Sequence, residues 1–326
     1  MRLKLMSVGL GLVLSSGVSF GQEMYKLGSK SISKDKLSPA VKEQLYQIEK
    51  EAYLKTVNAI TMSFYDDHLK ALADKKGKSV EQLEAELFKV KDPTEAELKA
   101  WYEENKARIP YPFDQIKDRI SSFLNSDKLA KARDEYIDSL KKKEKFKLSL
   151  VEPKQPVVEI NTAGFATKGN PDAKIKVVEF ADYYCPHCKH AFESFEKIMK
   201  KYGKKIHFTF MDFPLQGEKS KKIAVGAYCA GKQGKFWQFH TKAFEGQKTL
   251  SGDSVGVFAK ELKLDESSFN KCLKSDEASK HVDAAQAEGR RIGVGGTPAI
   301  YINGKKIAGH HDGEIEKAIE RALAGS

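Results

Sequence analysis

Cysteine is scarce in this chain. Four of 326 residues are Cys, and none precedes Cys185. The apolar run near the start is followed by no Cys, which excludes a lipoprotein attachment site. Long apolar runs are lacking after that first one, so no later segment reaches the roughly 20 residues of a bilayer span. Proline is sparse as well, at 10 residues, while 40% of the chain is hydrophobic, with 18 Phe and 12 Tyr. That composition excludes wholesale disorder and supplies apolar material for real cores. The net charge is +11, yet no basic stripe is present. Lys alternates with acids, as in Glu49-Lys50-Glu51, the pattern of solvated helix faces, so no nucleic-acid partner is expected.

The first residues read as an export signal. Arg2 and Lys4 precede the apolar run Leu5 to Leu14, and Ser19-Phe20-Gly21 fits a small–x–small cleavage site before Gln22. The expectation is a signal peptide over 1–21 and a soluble, periplasmic protein. An uncleaved anchor is the competing reading.

The expected fold class is α+β: an all-helical N-terminal domain, then an α/β domain with a helical insertion. Residues 22–150 carry helical spacing. Tyr25 to Ile32 reads as a short extended entry. Val41, Leu45, Ile48, Ala52, Val57, Ile60 and Phe64 form an apolar series that ends before Gly77. A shorter helix fits Ser79 to Phe88. Thr94 and Glu97 make a capping box for a helix to about Asn105. After Pro110 and Pro112, a long helix runs from about Phe113 to Lys143, and its Lys-rich end suits a helix C-terminus. No Cys and no catalytic cluster occurs here, so the apolar residues are expected in a core or a dimer interface. Residues 151–170, with Pro153 and Pro156, read as linker and entry segment.

From 171 to 326 the expected order is β-α-β, a helical insertion over about 220–292, then β-β-α. Lys174 to Phe180 is a buried strand, Cys185 to Lys201 a helix, and Lys205 to Phe213 a second strand with Ile206, Phe208 and Phe210 on one face. Asn303-Gly304 suits a type I′ hairpin turn, and Asp312 to Ala324 a last helix.

The chemistry concentrates at Cys185-Pro186-His187-Cys188. A C-x-x-C between strand and helix is the thioredoxin-like redox signature. Two intervening residues place both sulfurs on the first helical turn. The first sulfur then meets unsatisfied backbone N–H groups and the positive end of the helix dipole. Those groups favour thiolate over thiol and make the disulfide more oxidising. Cys185 is therefore assigned as exposed nucleophile and Cys188 as buried resolving thiol. His187 between them adds a donor for the thiolate. A zinc site with His190 is the competing reading, but closed zinc sites need four well-placed ligands. No metal and no cofactor is expected. Glu179, in an otherwise apolar strand, is costly unless it is paired or takes part in chemistry.

Val178 to Cys188 resembles the active-site segment of the DsbA family. Phe213-Pro214, Ala227-Tyr228-Cys229-Ala230, Gly234-Lys235-Phe236-Trp237 and Gly293 to Pro298 extend the resemblance over about Lys174 to Leu323. It implies a thiol–disulfide oxidoreductase that forms or reshuffles disulfides in exported proteins. Reduced or unfolded exported proteins would be its clients, and a membrane redox partner would reset its cysteines. It implies further that Thr297-Pro298 is a cis-proline site beside the cysteines, and that Glu179 relays protons for Cys188, with a Lys-paired structural acid as the alternative. Thr297 resembles the isomerase-type relatives, while the tetrad resembles the oxidases. Family members also pair cysteines placed like Cys229 and Cys272, worth roughly 4 kcal/mol of loop closure; two free thiols are the alternative.

In the first half, Gly28 to Leu37, Pro93 to Asn105 and Phe113 to Ile120 resemble the helical chaperone segment of SurA-type proteins. That implies a peptide-binding or homodimer-forming module over 22–150. A chaperone with secondary redox activity is the second functional reading.

Overall fold

The computed structural model describes residues 23–27 and 29–325. The expected signal peptide, its cleavage site and Gly28 lie outside the described residues. Among those described, no helix is long and apolar enough to cross a membrane.

The described chain divides into two units, one of residues 50–152 and one of residues 23–49 with 153–325. The cut differs from the expected boundary at 150/151 at one end: it also falls inside the first long helix. That helix, α1 (Pro39–Lys76), has no internal breaker, because its next glycine is Gly77 with φ +63° just past its end.

The first unit holds most of α1, then α2 (Val80–Leu87), α3 (Glu95–Asn105) and α4 (Phe113–Lys143). Ser79 with Gln82 and Thr94 with Glu97 close reciprocal capping boxes at the starts of α2 and α3. Tyr65, Leu69 and Ala73 recur every four residues on α1 and pack with Leu83, Phe88 and Ile137. A second cluster joins Leu98 to Ile116 and Ile120. The expected apolar series on α1 is helical, but its face is not the one that packs. Val41, Ile48 and Ile60 are exposed, as are Phe123 and Leu129 on α4. Their spacing matches a helix without matching the stripe that neighbouring helices cover.

The second unit opens with an antiparallel hairpin of β1 (Glu23–Leu27) and β2 (Lys30–Ser33). Its main sheet holds β3 (Ala166–Gly169), β4 (Ile175–Ala181), β5 (Ile206–Asp212), β6 (Ala299–Ile302) and β7 (Lys305–Lys306), in the order β3-β5-β4-β6-β7. β4 and β5 are parallel and joined by α5 (Pro186–Tyr202). β3 pairs antiparallel with β5 in a stretch expected to be only turn-rich; four residues around Gly164 and Gly169 carry too weak an apolar pattern to announce a strand. The insertion comprises α6 (Glu218–Gly231), α7 (Phe236–Glu245), α8 (Ser254–Glu261), α9 (Glu266–Leu273) and α10 (Asp276–Arg291). The chain ends in α11 (Asp312–Ala324).

Strand alternation sorts the core into two layers. Ile175, Val177 and Ala181 of β4 join Ile206, Phe208 and Phe210 of β5 on the face that carries Cys188 and the inserted helices. Val178, Phe180 and Met211 face the other way, with Phe213 and Tyr301. At the β6–β7 turn Asn303 and Gly304 both have positive φ, as a type I′ turn requires. Gly304 also lies so close to Val158 that a Cβ would sit 2.4 Å from its carbonyl oxygen. Val158 N–H donates to Gly304 O, so the proline-containing segment after Glu152 is partly docked on the hairpin.

Candidate redox site

Cys185 ends the loop after β4 and is the residue immediately before α5, with Pro186 at the first helical position. Proline suits that position because its missing N–H would have no helical acceptor. Several bonds fix the loop. Cys185 N–H donates to Asp182 O at 3.0 Å, and Cys188 N–H to Cys185 O at 3.0 Å. Gln247 Nε2 donates to both Tyr183 O (2.8 Å) and Cys185 O (2.9 Å). Asp182 is buried and accepts from Tyr184 N–H, Leu215 N–H and the Ser220 hydroxyl, at 2.7–2.8 Å. It ties the end of β4, the turn after β5 and the start of α6 together.

The two sulfurs have opposite surroundings. Cys185 is half-exposed and Cys188 fully buried, both as free thiols. A hydrogen bond from Cys188 is the largest influence on the Cys185 thiol. Burial opposes it, and the Thr297 hydroxyl with the backbone N–H groups of Cys188 and His187 reinforces it, so Cys185 is held down to about 5. Burial pushes Cys188 far above the ordinary thiol range, and its bond to Cys185 adds to that. One sulfur is thus a stable thiolate at neutral pH and the other holds its proton.

Thr297-Pro298 is a cis peptide in the loop before β6, and Thr297 O accepts from Cys185 Sγ–H at 3.3 Å. The fold therefore brings Thr297 and Pro298 to the cysteines across more than a hundred residues. His187 contributes through its backbone N–H; its ring instead lies 3.1 Å from His310 Nε2.

Glu179 is 2% exposed, faces the Cys188 side of β4, and its Oε1 has no hydrogen-bond partner among the described residues. Burial, and secondarily the Cys185 charge, push its carboxyl up to about 8. No Lys partner of Glu179 occurs among the described residues. Cys188 in turn feels the Glu179 charge. Away from this group, Cys229 on α6 and Cys272 on α9 are joined by a disulfide with Cα atoms 5.7 Å apart. No cluster of three or more His, Cys, Asp or Glu able to hold a metal occurs among the described residues.

Sequence reasoning did not single out Asp182, Gln247, His310 or a buried aromatic shell around His240. Asp182 had a local signal, since Asp often bonds the N–H two residues on, as it does here to Tyr184. Gln247 and His310 had none, because they reach the site from other elements.

A family model and curated relatives match the half of the chain that carries this site. A family model described as thioredoxin matches residues 161–321. Disulfide bond formation protein D of Bacillus subtilis is 32% identical over 170 residues, 48% of this chain and 76% of that protein. Probable disulfide bond formation protein D of Bacillus cereus is 29% identical over 167 residues, 48% of this chain and 77% of that protein. Among solved structures, oxidised BdbD from Bacillus subtilis aligns with a TM-score of 0.48 at 28% identity, over 52% of this chain and 99% of that one.

Proposed function

The chain belongs to the thioredoxin-like disulfide bond formation proteins, and from that premise we propose that it forms or reshuffles disulfides in exported proteins through Cys185 and Cys188. Thiol–disulfide exchange is its chemistry. The observation that carries the reading is the contrast at the N-terminus of α5: a thiolate held down to about 5 next to a buried thiol that keeps its proton.

That contrast orders the steps. In the oxidised form a substrate thiolate attacks Cys185 Sγ, the exposed sulfur, and the Cys185–Cys188 bond breaks. Cys188 leaves with the electron pair and takes up a proton, which its burial favours. Glu179, protonated at neutral pH and on the same face, is the group we assign to supply that proton. A second substrate thiol, as its thiolate, then attacks the substrate sulfur of the mixed disulfide. Cys185 leaves as the stable thiolate. The substrate gains one disulfide, and two electrons pass to the chain. In reshuffling, the Cys185 thiolate attacks first and Cys188 stays thiol. Thr297 O and the backbone before Pro298 stand where an extended client strand would pair beside Cys185.

We assign the site to a periplasmic setting, with clients that are reduced or unfolded exported proteins and a membrane redox partner that resets the cysteines. The basis is the N-terminal export pattern and the need for a two-electron acceptor after each turnover. For the helical unit we retain the SurA-like reading, subordinate to the redox role, as a client-holding or self-associating module over 22–150. Exposed Leu54, Tyr111 and Phe123, and a groove of about 300 Å³ lined by Trp101, Ile109, Tyr111 and Phe123, support it.

The test is refolding of one disulfide protein from two starting states, fully reduced and scrambled, with the full chain. Recovery of activity from both, lost in Cys185→Ser, is expected. Recovery that persists in Cys185→Ser would overturn the proposal, and recovery from the reduced state alone would confine it to oxidation.

A further inference from the structure

A second buried acid stands near Glu179 and has no part in the scheme above. On β5 the residues Ile206, Phe208 and Phe210 face the layer that contains Cys188. Asp212 is the next residue in that alternation. Its register partner on β4 is Ala181, two residues beyond Glu179. Asp212 and Glu179 therefore stand on the same face of neighbouring parallel strands, with Cα atoms about 8 Å apart from strand spacing and rise.

Four buried side-chain polar atoms lack a hydrogen-bond partner among the described residues, and two of them are Glu179 Oε1 and Asp212 Oδ1. Buried polar groups are ordinarily hydrogen-bonded. Asp182, close by, shows the contrast: it is equally buried but accepts from three donors. An ionised carboxylate without such donors is costly in a core, and taking a proton removes the cost.

We propose that Asp212 is a second proton-binding carboxyl of the redox site, acting with Glu179 to set how thiol–disulfide exchange responds to pH. The inference rests on the redox reading of Cys185 and Cys188. Among the described residues no cation is paired with Asp212 to hold it ionised. Glu179, Asp182 and Tyr183 come from β4 and the loop after it, and Cys188 from α5. His240 comes from α7; burial holds it neutral, down to about 3. Its Nδ1 lies 3.1 Å from the Tyr183 hydroxyl. Lys168 of β3 is already paired with Glu196. Burial first, and the Asp182 charge second, push Asp212 up to about 7. Tyr183 feels the charges of both Asp212 and Glu179.

Reduction places a new negative charge at Cys185 and a proton demand at Cys188. Two carboxyls with separate proton affinities answer it over a wider pH range than one. Asp212 here is a positioning residue: it acts on the sulfurs through charge and the proton it holds, not by touching substrate.

The experiment is the redox equilibrium of the full chain with glutathione across pH 5–9, for wild type, Asp212→Asn, Asp212→Glu and Glu179→Gln. Asp212→Asn is expected to change the ratio of equilibrium constants between pH 6 and pH 8 by about threefold or more, and to match wild type within about twofold at pH 5, where the carboxyl is protonated in any case. Asp212→Glu is expected to restore the pH dependence. An active wild type whose profile Asp212→Asn leaves unchanged overturns the inference alone. A wild type that exchanges no thiols at any pH overturns the functional reading and the inference together. Should Asp212→Asn not fold, carbon NMR titration of the Asp212 carboxyl in the wild type decides. A midpoint near 7 that moves on reduction supports the inference, and an ordinary carboxylate midpoint overturns it.

Discussion

Replacing Glu179 with Gln keeps shape and polarity and removes one titration. The carboxyl is ordinarily near 4.5 and is pushed up to about 8 by burial. The folded chain therefore holds a proton that the unfolded chain releases. The linked stability is fully present below the unfolded value and is lost as pH rises toward and through the folded one. The displacement corresponds to a ceiling of about 5 kcal/mol at alkaline pH. Relaxation and water entry around buried charges reduce such figures, so about 2–4 kcal/mol is the working expectation. Glu179→Gln should accordingly be near neutral for stability at pH 5 and clearly stabilising at pH 8. With an m-value of roughly 2 kcal/mol/M in urea, the midpoint difference between variant and wild type should grow by about 1–2 M between those two pH values. The assay is urea unfolding followed by Trp237 fluorescence in a Trp101→Phe background, in glutathione buffer that keeps Cys185 and Cys188 reduced. A midpoint difference that is the same at pH 5 and pH 8 refutes the reasoning. It would mean that Glu179 is ionised in the folded chain and held by donors.

Other outcomes follow from the same site. Thr297→Val removes the hydroxyl that supports the Cys185 thiolate. A hydrogen bond to a charged group is worth about 1.5–3 kcal/mol, so the thiolate midpoint in ultraviolet titration should rise by about 1–2 pH units. The disulfide should become less oxidising by roughly 30–60 mV; an unmoved midpoint removes the Thr297 hydroxyl from the site. The Cys229→Ala, Cys272→Ala double variant opens a loop closed over 43 residues. It should lose about 4 kcal/mol in the chain-entropy account while the Cys185 midpoint stays unchanged. A shifted midpoint would show that this disulfide tunes the redox site as well as bracing α6 against α9.

Much of this was legible in the sequence, because long elements carry their own punctuation. The capping box at Thr94, the Asn303-Gly304 turn and the period-2 pattern of Ile206 to Phe210 each fix an element locally. What failed was whatever depends on neighbours. Helical spacing in α1 does not say which stripe is covered, and Val41 and Ile48 are exposed while Tyr65 and Leu69 pack. β3 exists through its pairing with β5, not through its own four residues. At the site, Glu179 was readable as a charge in an apolar strand. Asp212 sits at the inward phase of β5 with the same signature and was missed, although the expected strand, Lys205 to Phe213, contained it. Gln247 and His310 are brought in by tertiary structure alone.

The central claim is that Cys185 is the sulfur that joins to substrate and Cys188 the one that releases it. Trapping tests it most directly: the full-length Cys188→Ser chain, with its remaining site thiol activated, is mixed with a reduced exported protein and the product mapped by mass spectrometry. The account predicts a stable mixed disulfide at Cys185, with Cys229 and Cys272 still joined to each other. Absence of any adduct at Cys185, or an adduct at Cys229 or Cys272 instead, would contradict it.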